Sequence, residues 1–245
     1  LNKYTYIIGY KHSTHQLSNL LKTIDWLNRL DNLDVIVIEA DRHSKISNLN
    51  ISAKHIFIET HNPNYNRSWV FNVGLKYCNT PNVIFGNCDI IMDYEPFLES
   101  LKLLNKYEFI APYEKINRLD KYSSSQLNVD IFSIETAVDF LDANLTNGIC
   151  FFQTESIKKI GGWCELFEGY GYEDIGLDIL IKHKLNWYQC NNHAYHLYHP
   201  IEQIDAEFYS KNAKLYSDLV KMSDVEIDRF INTVQKNIGR LNRYI

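Results

Sequence analysis

The stretch YTYIIGYKHSTHQLSNLLKTIDWLNRLDNLDVIVIEA, residues 4–40, decides the class of fold. It opens on Tyr4–Tyr10, a short run rich in β-branched and aromatic residues, which reads as a buried strand. Leu17, Leu20, Leu21, Ile24, Leu27 and Leu30 then recur at steps of three or four, the period of one helix face, with Ser13 or Thr14 available as the cap. Val35–Glu39 (VIVIE) is a second strand of the first kind. Working outward, His55–Glu59 (HIFIE) and Val83–Phe85 (VIF) read as further strands. Ser68–Tyr77 (SWVFNVGLKY) reads as a helix that ends before Asn79-Thr80-Pro81. Strands alternating with helices indicate an α/β domain with a mostly parallel central sheet flanked by helices. Ligands of such sheets bind beyond the carboxyl ends of the strands. That rule gathers Lys11, Glu39, Asp41 and Asn87–Asp89 around one crevice.

The second half is less regular. Residues 113–147 are more polar and carry a Ser-Ser-Ser run, which reads as an excursion from the sheet, a loop followed by a short helix over Glu135–Leu141. Ser223 followed by Glu226 is a capping box. After it Ile227, Phe230, Ile231, Val234, Ile238 and Leu241 keep helical spacing, which predicts a helix running to Leu241. The domain division that follows is a main domain over 1–200 and a helical extension over 201–245 packed on it.

Bulk properties exclude several classes. The 245 residues, 45% hydrophobic and 22% charged, suit one large globular domain with at most a small appendage. A net charge of −5 argues against a nucleic-acid partner. No run approaches the roughly 18 apolar residues of a membrane span. No secretory leader stands at Leu1, so the expected location is cytoplasmic. The five cysteines are odd in number and never spaced C-x-x-C, which favours thiols in a reducing compartment over a disulfide framework.

Four stretches carry possible chemistry. In VIFGNCDIIM (83–92) a buried strand runs into Asn87-Cys88-Asp89, and side chains two apart on a strand point the same way. Such an oxygen pair suits a hard cation such as Mg²⁺ or Mn²⁺. Taken alone, a polar-x-Asp after a strand is a weak signal, and a turn with Asp89 as its local cap is the commoner explanation. In NYNRSWVFNVG (64–74) Arg67 could bridge phosphate oxygens bidentately, or could be a solvated surface arginine. In HAYHLYHP (193–200) the histidines recur every third residue, which on an extended segment sends them to opposite faces. One of them is a plausible metal ligand; all three together are not expected. In GYGYEDIGLD (169–178) two glycines flank tyrosine faces, and Glu173 and Asp174 fall in the first turn of a helix that meets no breaker until Asn186. Complementing the helix dipole would explain the acids by itself.

In this chain order the stretches resemble the GT-A fold nucleotide-sugar glycosyltransferases, in particular the β-1,4-galactosyltransferase-like group and the chondroitin-polymerase-type family 2 enzymes. The resemblance covers about residues 1–200 and is most specific over Gly161–Asp174, where a Gly-Gly-Trp turn, an acidic-aromatic step and a Gly-aromatic-Gly-x-Glu-Asp box follow one another. It implies that this box, with Tyr170 and Gly171, floors the donor and acceptor sugar sites. Asp174 then matches the catalytic base, with Glu173 a positioning group for the acceptor. Lys11 lies near the family's basic position after the first strand, and Glu39 or Asp41 near its base-contacting position after the second. Arg67 corresponds to the arginine next to the nucleotide. Asp89 matches the last acid of Asp-x-Asp, which binds the metal, and His196 the later histidine ligand. His199 is the further metal candidate, expected to face away or to support the site from behind. Asn87 departs from the first Asp of that motif, and Tyr170 and Tyr172 stand where the galactosyltransferases carry Trp and Gly.

The implied activity is transfer of a hexose or N-acetylhexosamine from a UDP-sugar to a saccharide or glycoconjugate hydroxyl, with inversion and with Mn²⁺ or Mg²⁺. The rivals are a retaining transferase, a sugar nucleotidyltransferase and an inert nucleotide-sugar or carbohydrate-binding module of the same fold. GYKHSTHQ (9–16) is not the lysine-bearing glycine-rich loop of a nucleotidyltransferase, and Asn87 is the main support for the inert module.

Overall fold

A computed structural model describes residues 3–126, 137–200 and 205–245. The first half alternates as β1 (Tyr4–Tyr10), α1 (Thr14–Leu27), β2 (Leu33–Asp41), β3 (Lys54–Glu59), α2 (Arg67–Leu75) and β4 (Asn82–Asn87). Ser13 caps α1, its side chain accepting the Gln16 N–H at 3.2 Å. β5 (Ile90–Met92), α3 (Tyr94–Lys102), β6 (Phe109–Ala111), β7 (Lys115–Leu119), α4 (Lys121–Gln126), β8 (Ala137–Asp142) and β9 (Ile149–Gln153) follow. The last part holds α5 (Thr154–Lys159), α6 (Glu173–Lys184), β10 (Trp187–Gln189), β11 (His193–His196), α7 (Ala206–Val220) and α8 (Asp224–Val234).

A seven-stranded sheet has the order β10-β6-β9-β4-β1-β2-β3. β1 pairs in parallel with β2 and β4, and β2 with β3, so the strands read from the first half of the sequence form one parallel block. β9 lies antiparallel between β4 and β6, which makes the sheet mixed. One face is covered by α1 and α3 through Leu20, Ile24, Phe97 and Leu101. The other is covered by α2, α6 and α8 through Trp69, Phe71, Leu177, Leu180, Ile227 and Ile231. Burial on both faces explains why these strands are continuous apolar runs rather than alternating ones.

Three features differ from the sequence expectation. A four-stranded second sheet, β5-β11-β7-β8, packs on the first. Part of the expected helix over Glu135–Leu141 is strand β8, paired antiparallel with β7; Glu135 and Thr136 lie outside the described residues. A segment this short cannot sustain a helix by itself, and β7 offers a ladder of backbone partners. The last helix keeps its capping box but ends at Val234, and a 3-10 turn over Gln235–Asn237 follows. Ile238 is already extended, at φ −65° and ψ 140°, and Gly239 after it takes φ +62°, in the left-handed region, so Ile238 and Leu241 leave the helical row. Among the described residues no helix is long and apolar enough to cross a membrane. All five cysteines are buried thiols.

Candidate active site

β4 delivers its last residue, Asn87, to the carboxyl edge of the parallel block, and the chain turns through Cys88 and Asp89 into β5. β5 pairs antiparallel with β11 in a register that sets Ile90 opposite His196. That register carries His196 to the neighbourhood of Asp89 across more than a hundred residues of sequence. One ligand atom each from Asp89, His196 and His199 lie within 4.8 Å of one another, the sole such group of three among the described residues. His199 therefore converges on the group instead of facing away. β11 ends at His196, and the Leu197 N–H donates to the Asp89 carbonyl at 2.7 Å, one step beyond the β5–β11 register, which keeps the chain leading to His199 close to Asp89. His193 points elsewhere, its Nδ1 3.2 Å from the Asn117 amide nitrogen.

The chemistry of this group fits a divalent cation. Asp89 is 5% exposed. Its Oδ2 accepts from Gln16 Nε2 at 3.1 Å and faces His199 Nε2 at 3.3 Å, while its buried Oδ1 has no partner among the described residues. A buried carboxylate oxygen left without a partner is costly, and a cation satisfies it. Burial lowers the pKa of His196, against the opposing pull of Asp89, which favours the neutral imidazole that ligates metals.

The paired acids sit beside this edge. α6 begins at Glu173, and Arg67, the first residue of α2, reaches across to it. Arg67 Nη1 donates to Asn87 Oδ1 at 3.2 Å, and Nη2 pairs with Asp174 Oδ1 and, at 3.2 Å, with Glu173 Oε1. The guanidinium also lies over the Trp163 ring, 5.4 Å from its centroid. The second Asp174 oxygen accepts from Asn147 Nδ2 at 2.9 Å, whereas Glu173 Oε2 is buried without a partner among the described residues. One turn on, Asp178 accepts from the Leu145 N–H at 3.0 Å and Thr146 Oγ1 at 2.8 Å, which fixes the loop presenting Asn147. Burial raises the pKa of Asp178 despite these donors.

At the ends of β1–β3 Lys11, Asp41, Arg42, Asn62 and Tyr244 line a pocket of about 110 Å³. Lys11 Nζ donates to the Pro63 carbonyl at 2.7 Å. Glu39 is not part of this surface. It is 0% exposed, and its carboxylate accepts from Ser44 Oγ at 2.5 Å, the Lys45 N–H at 2.6 Å and the His55 ring at 2.9 Å. It fixes the loop after β2, so of the two acids proposed for that edge Asp41 alone faces the pocket.

Neither any family model nor any curated protein matches the sequence. Solved structures do. A fragment of S. aureus TarS in complex with UDP-GlcNAc superposes with a TM-score of 0.58 at 10% identity, over 95% of this chain and 71% of that one. GalNAc-T7 with UDP, GalNAc and Mn²⁺ gives a TM-score of 0.64 at 10% identity, over 94% of this chain and 50% of that one. Glucosyl-3-phosphoglycerate synthase from Mycobacterium tuberculosis, with Mn²⁺, UDP and glucosyl-3-phosphoglycerate, gives 0.55 at 14% identity, over 91% and 81%. The chain has the GT-A fold.

Within the GT-A frame, the Gly-Gly-Trp turn is clamped by one side chain of α2. Asn72, 0% exposed, accepts the Trp163 N–H at 2.9 Å and donates to the Trp163 carbonyl and to Glu165 Oε1, both at 2.8 Å. Gly162 is required here, since a Cβ would stand 2.6 Å from Asn72 Oδ1 and φ is +72°. Tyr170 is 65% exposed. The Gly171 carbonyl accepts from Asn212 Nδ2 of α7 at 2.9 Å. Tyr172 packs against Tyr209 and Tyr216, with ring centroids 5.1 and 5.5 Å away, so α7 supports the aromatic box from behind. Sequence reasoning missed Gln16, Asn147 and Tyr244. Asp178, four residues after Asp174 and so on the same helix face, was visible in GYGYEDIGLD itself.

Proposed function

We propose that this chain is a metal-dependent inverting glycosyltransferase that moves a hexose or N-acetylhexosamine from a UDP-sugar to a hydroxyl of a saccharide or glycoconjugate. The observation that carries the reading is the unspent, buried Asp89 oxygen among His196 and His199, set at a GT-A strand edge beside a helix that opens with two acids. Solved proteins of this fold hold UDP-GlcNAc, or UDP with Mn²⁺, which supports the donor class and the cation. Asp89, His196 and His199 would hold the metal, which when bound offsets the charge building on the departing diphosphate.

The rest of the work falls to the chain. Arg67 presents a guanidinium to the same edge and, when unliganded, is neutralised by Glu173 and Asp174. Asp174 is the base. One of its oxygens exchanges a hydrogen bond from Asn147 or Arg67 for one from the acceptor hydroxyl, and takes that proton as the hydroxyl oxygen bonds to the anomeric carbon. The bond from that carbon to the diphosphate oxygen breaks on the opposite face, which gives inversion and releases UDP. Glu173 shares Arg67 but directs its second oxygen elsewhere, as expected of neighbours about 100° apart on a helix.

The test is a panel of UDP-sugars with Mn²⁺ and saccharide acceptors, run with Asp174→Asn beside the parent. Loss of the base should cut turnover by roughly 10²–10⁴-fold while UDP still binds. A variant that transfers at the parent rate removes Asp174 from the chemistry, and a dead Glu173→Gln with a live Asp174→Asn exchanges the two roles. UDP binding by a parent that neither transfers nor hydrolyses any donor is the outcome that favours the inert module.

A further inference from the structure

The segment after α8 does more than pack on the sheet. Glu165, 6% exposed, anchors it, accepting the Gly239 N–H at 2.5 Å and Arg243 Nη1 at 3.0 Å, while Arg243 Nη2 donates to the Glu165 carbonyl at 3.1 Å. The indole N–H of Trp69 holds the Arg240 carbonyl at 2.7 Å. These bonds bring Tyr244 to the pocket at the ends of β1–β3. There its backbone carbonyl accepts the His61 N–H at 3.1 Å, and its hydroxyl accepts from Asn66 Nδ2 at 2.8 Å and donates to Glu168 Oε1 at 2.9 Å. The ring stands perpendicular to that of Trp69, centroids 5.0 Å apart and planes at 87°.

The pocket it joins mixes the two kinds of wall: Lys11, Asp41, Arg42 and Asn62 bring polar groups, and Tyr65 and Trp69 line it beside Tyr244. With its hydroxyl spent and the Arg243 guanidinium over one face, 5.3 Å from the ring centroid, Tyr244 has only its other face to offer the pocket it lines, and no further hydrogen bond. That combination suits a flat heteroaromatic ring whose own edge polar groups meet the surrounding side chains. Asn66, which holds the Tyr244 hydroxyl, is also the N-cap of α2 and accepts the Trp69 N–H at 2.8 Å. The residue next to it is Arg67, so the pocket and the acid pair are joined through one helix start.

We infer that Tyr244 is a binding residue for the nucleobase of the nucleoside diphosphate donor, delivered to the donor pocket by the segment Gly239–Tyr244. The inference rests on the donor reading above, and it assigns part of the donor site to the extension rather than to the α/β sheet. Calorimetry of the full chain with Mn²⁺ and either UDP or inorganic pyrophosphate tests it, because pyrophosphate carries the diphosphate without the base. Tyr244→Ala should weaken UDP about tenfold or more, the scale of one lost base–aromatic stack, and leave pyrophosphate unchanged. Tyr244→Phe, which keeps the ring and drops the hydroxyl bonds, should bind UDP as the parent does. If Tyr244→Ala does not fold, Tyr244→Leu keeps apolar bulk over Trp69 and should show the same selective loss. Parent-like UDP affinity in the alanine or leucine variant overturns the inference and leaves the donor reading intact. So does equal loss of UDP and pyrophosphate, which would mark Tyr244 as packing. A parent that binds pyrophosphate but gains nothing from uridine overturns both.

Discussion

Asn87 shows how one side chain can change the meaning of a motif. An Asn in place of an acid near a cation site would be expected to weaken metal binding by removing a charge. In the structure its Oδ1 accepts from Arg67 Nη1 at 3.2 Å. Asn87→Asp would add an acid to a guanidinium that Glu173 and Asp174 already share. We expect it to leave Mn²⁺ affinity flat in calorimetry and to lower UDP affinity, because Arg67 is held more tightly away from the diphosphate. A gain in Mn²⁺ affinity would return Asn87 to the metal. A second residue-scale test concerns Tyr172, the N-cap of α6 at φ +72°, a region that costs a residue with a Cβ about 1–2 kcal/mol. Tyr172→Gly and Tyr172→Ala lose the same contacts with Tyr209 and Tyr216. Urea unfolding should therefore find the glycine variant the more stable by about 1 kcal/mol. Equal stabilities would mean that the backbone relaxes out of that conformation.

Elements made of one continuous sequence signal were legible, and those made by pairing were not. The runs of β1 to β4 and the leucine row of α1 declare themselves locally, because period and flanking residues suffice. β8 does not, since its state is set by the β7 edge rather than by its own residues. The same limit applied to the site. Asp89, His196 and the acids of α6 were named from motif order, but Gln16 and Asn147 reach the site through tertiary contacts that leave no spacing in the chain. Glu39 was misplaced because a strand-end acid looks the same in sequence whether it faces a ligand or its own loop. The clamp between α2 and the Gly-Gly-Trp turn is an element-scale prediction. Asn72→Leu keeps the volume but leaves the buried Trp163 N–H and carbonyl without their partner. It should cost on the order of 3 kcal/mol in chemical denaturation. A loss well under 1 kcal/mol would show that the turn is held by packing of Trp163 instead.

On the scale of the molecule, the candidate metal group lies where two sheets that share a hydrophobic core also meet through polar side chains. Asp89 follows β4 of the seven-stranded sheet, and His196 closes β11 of the four-stranded one. This junction holds a buried carboxylate oxygen with no partner among the described residues, beside two imidazole rings whose centroids are 5.0 Å apart, an arrangement that a cation would stabilise. A ligand that binds the folded state alone stabilises it by mass action, about 2.7 kcal/mol at a hundredfold excess over Kd. For a chain of 245 residues that corresponds to a rise in Tm of about 5–10 °C. Thermal unfolding of the parent should show such a rise with Mn²⁺, larger when UDP is added. Asp89→Ala should show none, while its metal-free Tm stays near or above that of the parent, because the substitution also removes the costly oxygen. This second part separates a metal ligand from an ordinary structural acid. If Asp89 instead served only as a partner for Gln16 and His199, its removal would lower the metal-free Tm and leave any Mn²⁺ response in place. His199→Ala should keep part of the response, since Asp89 and His196 remain, and a full response in that variant would return His199 to the supporting place that its spacing in the sequence first gave it.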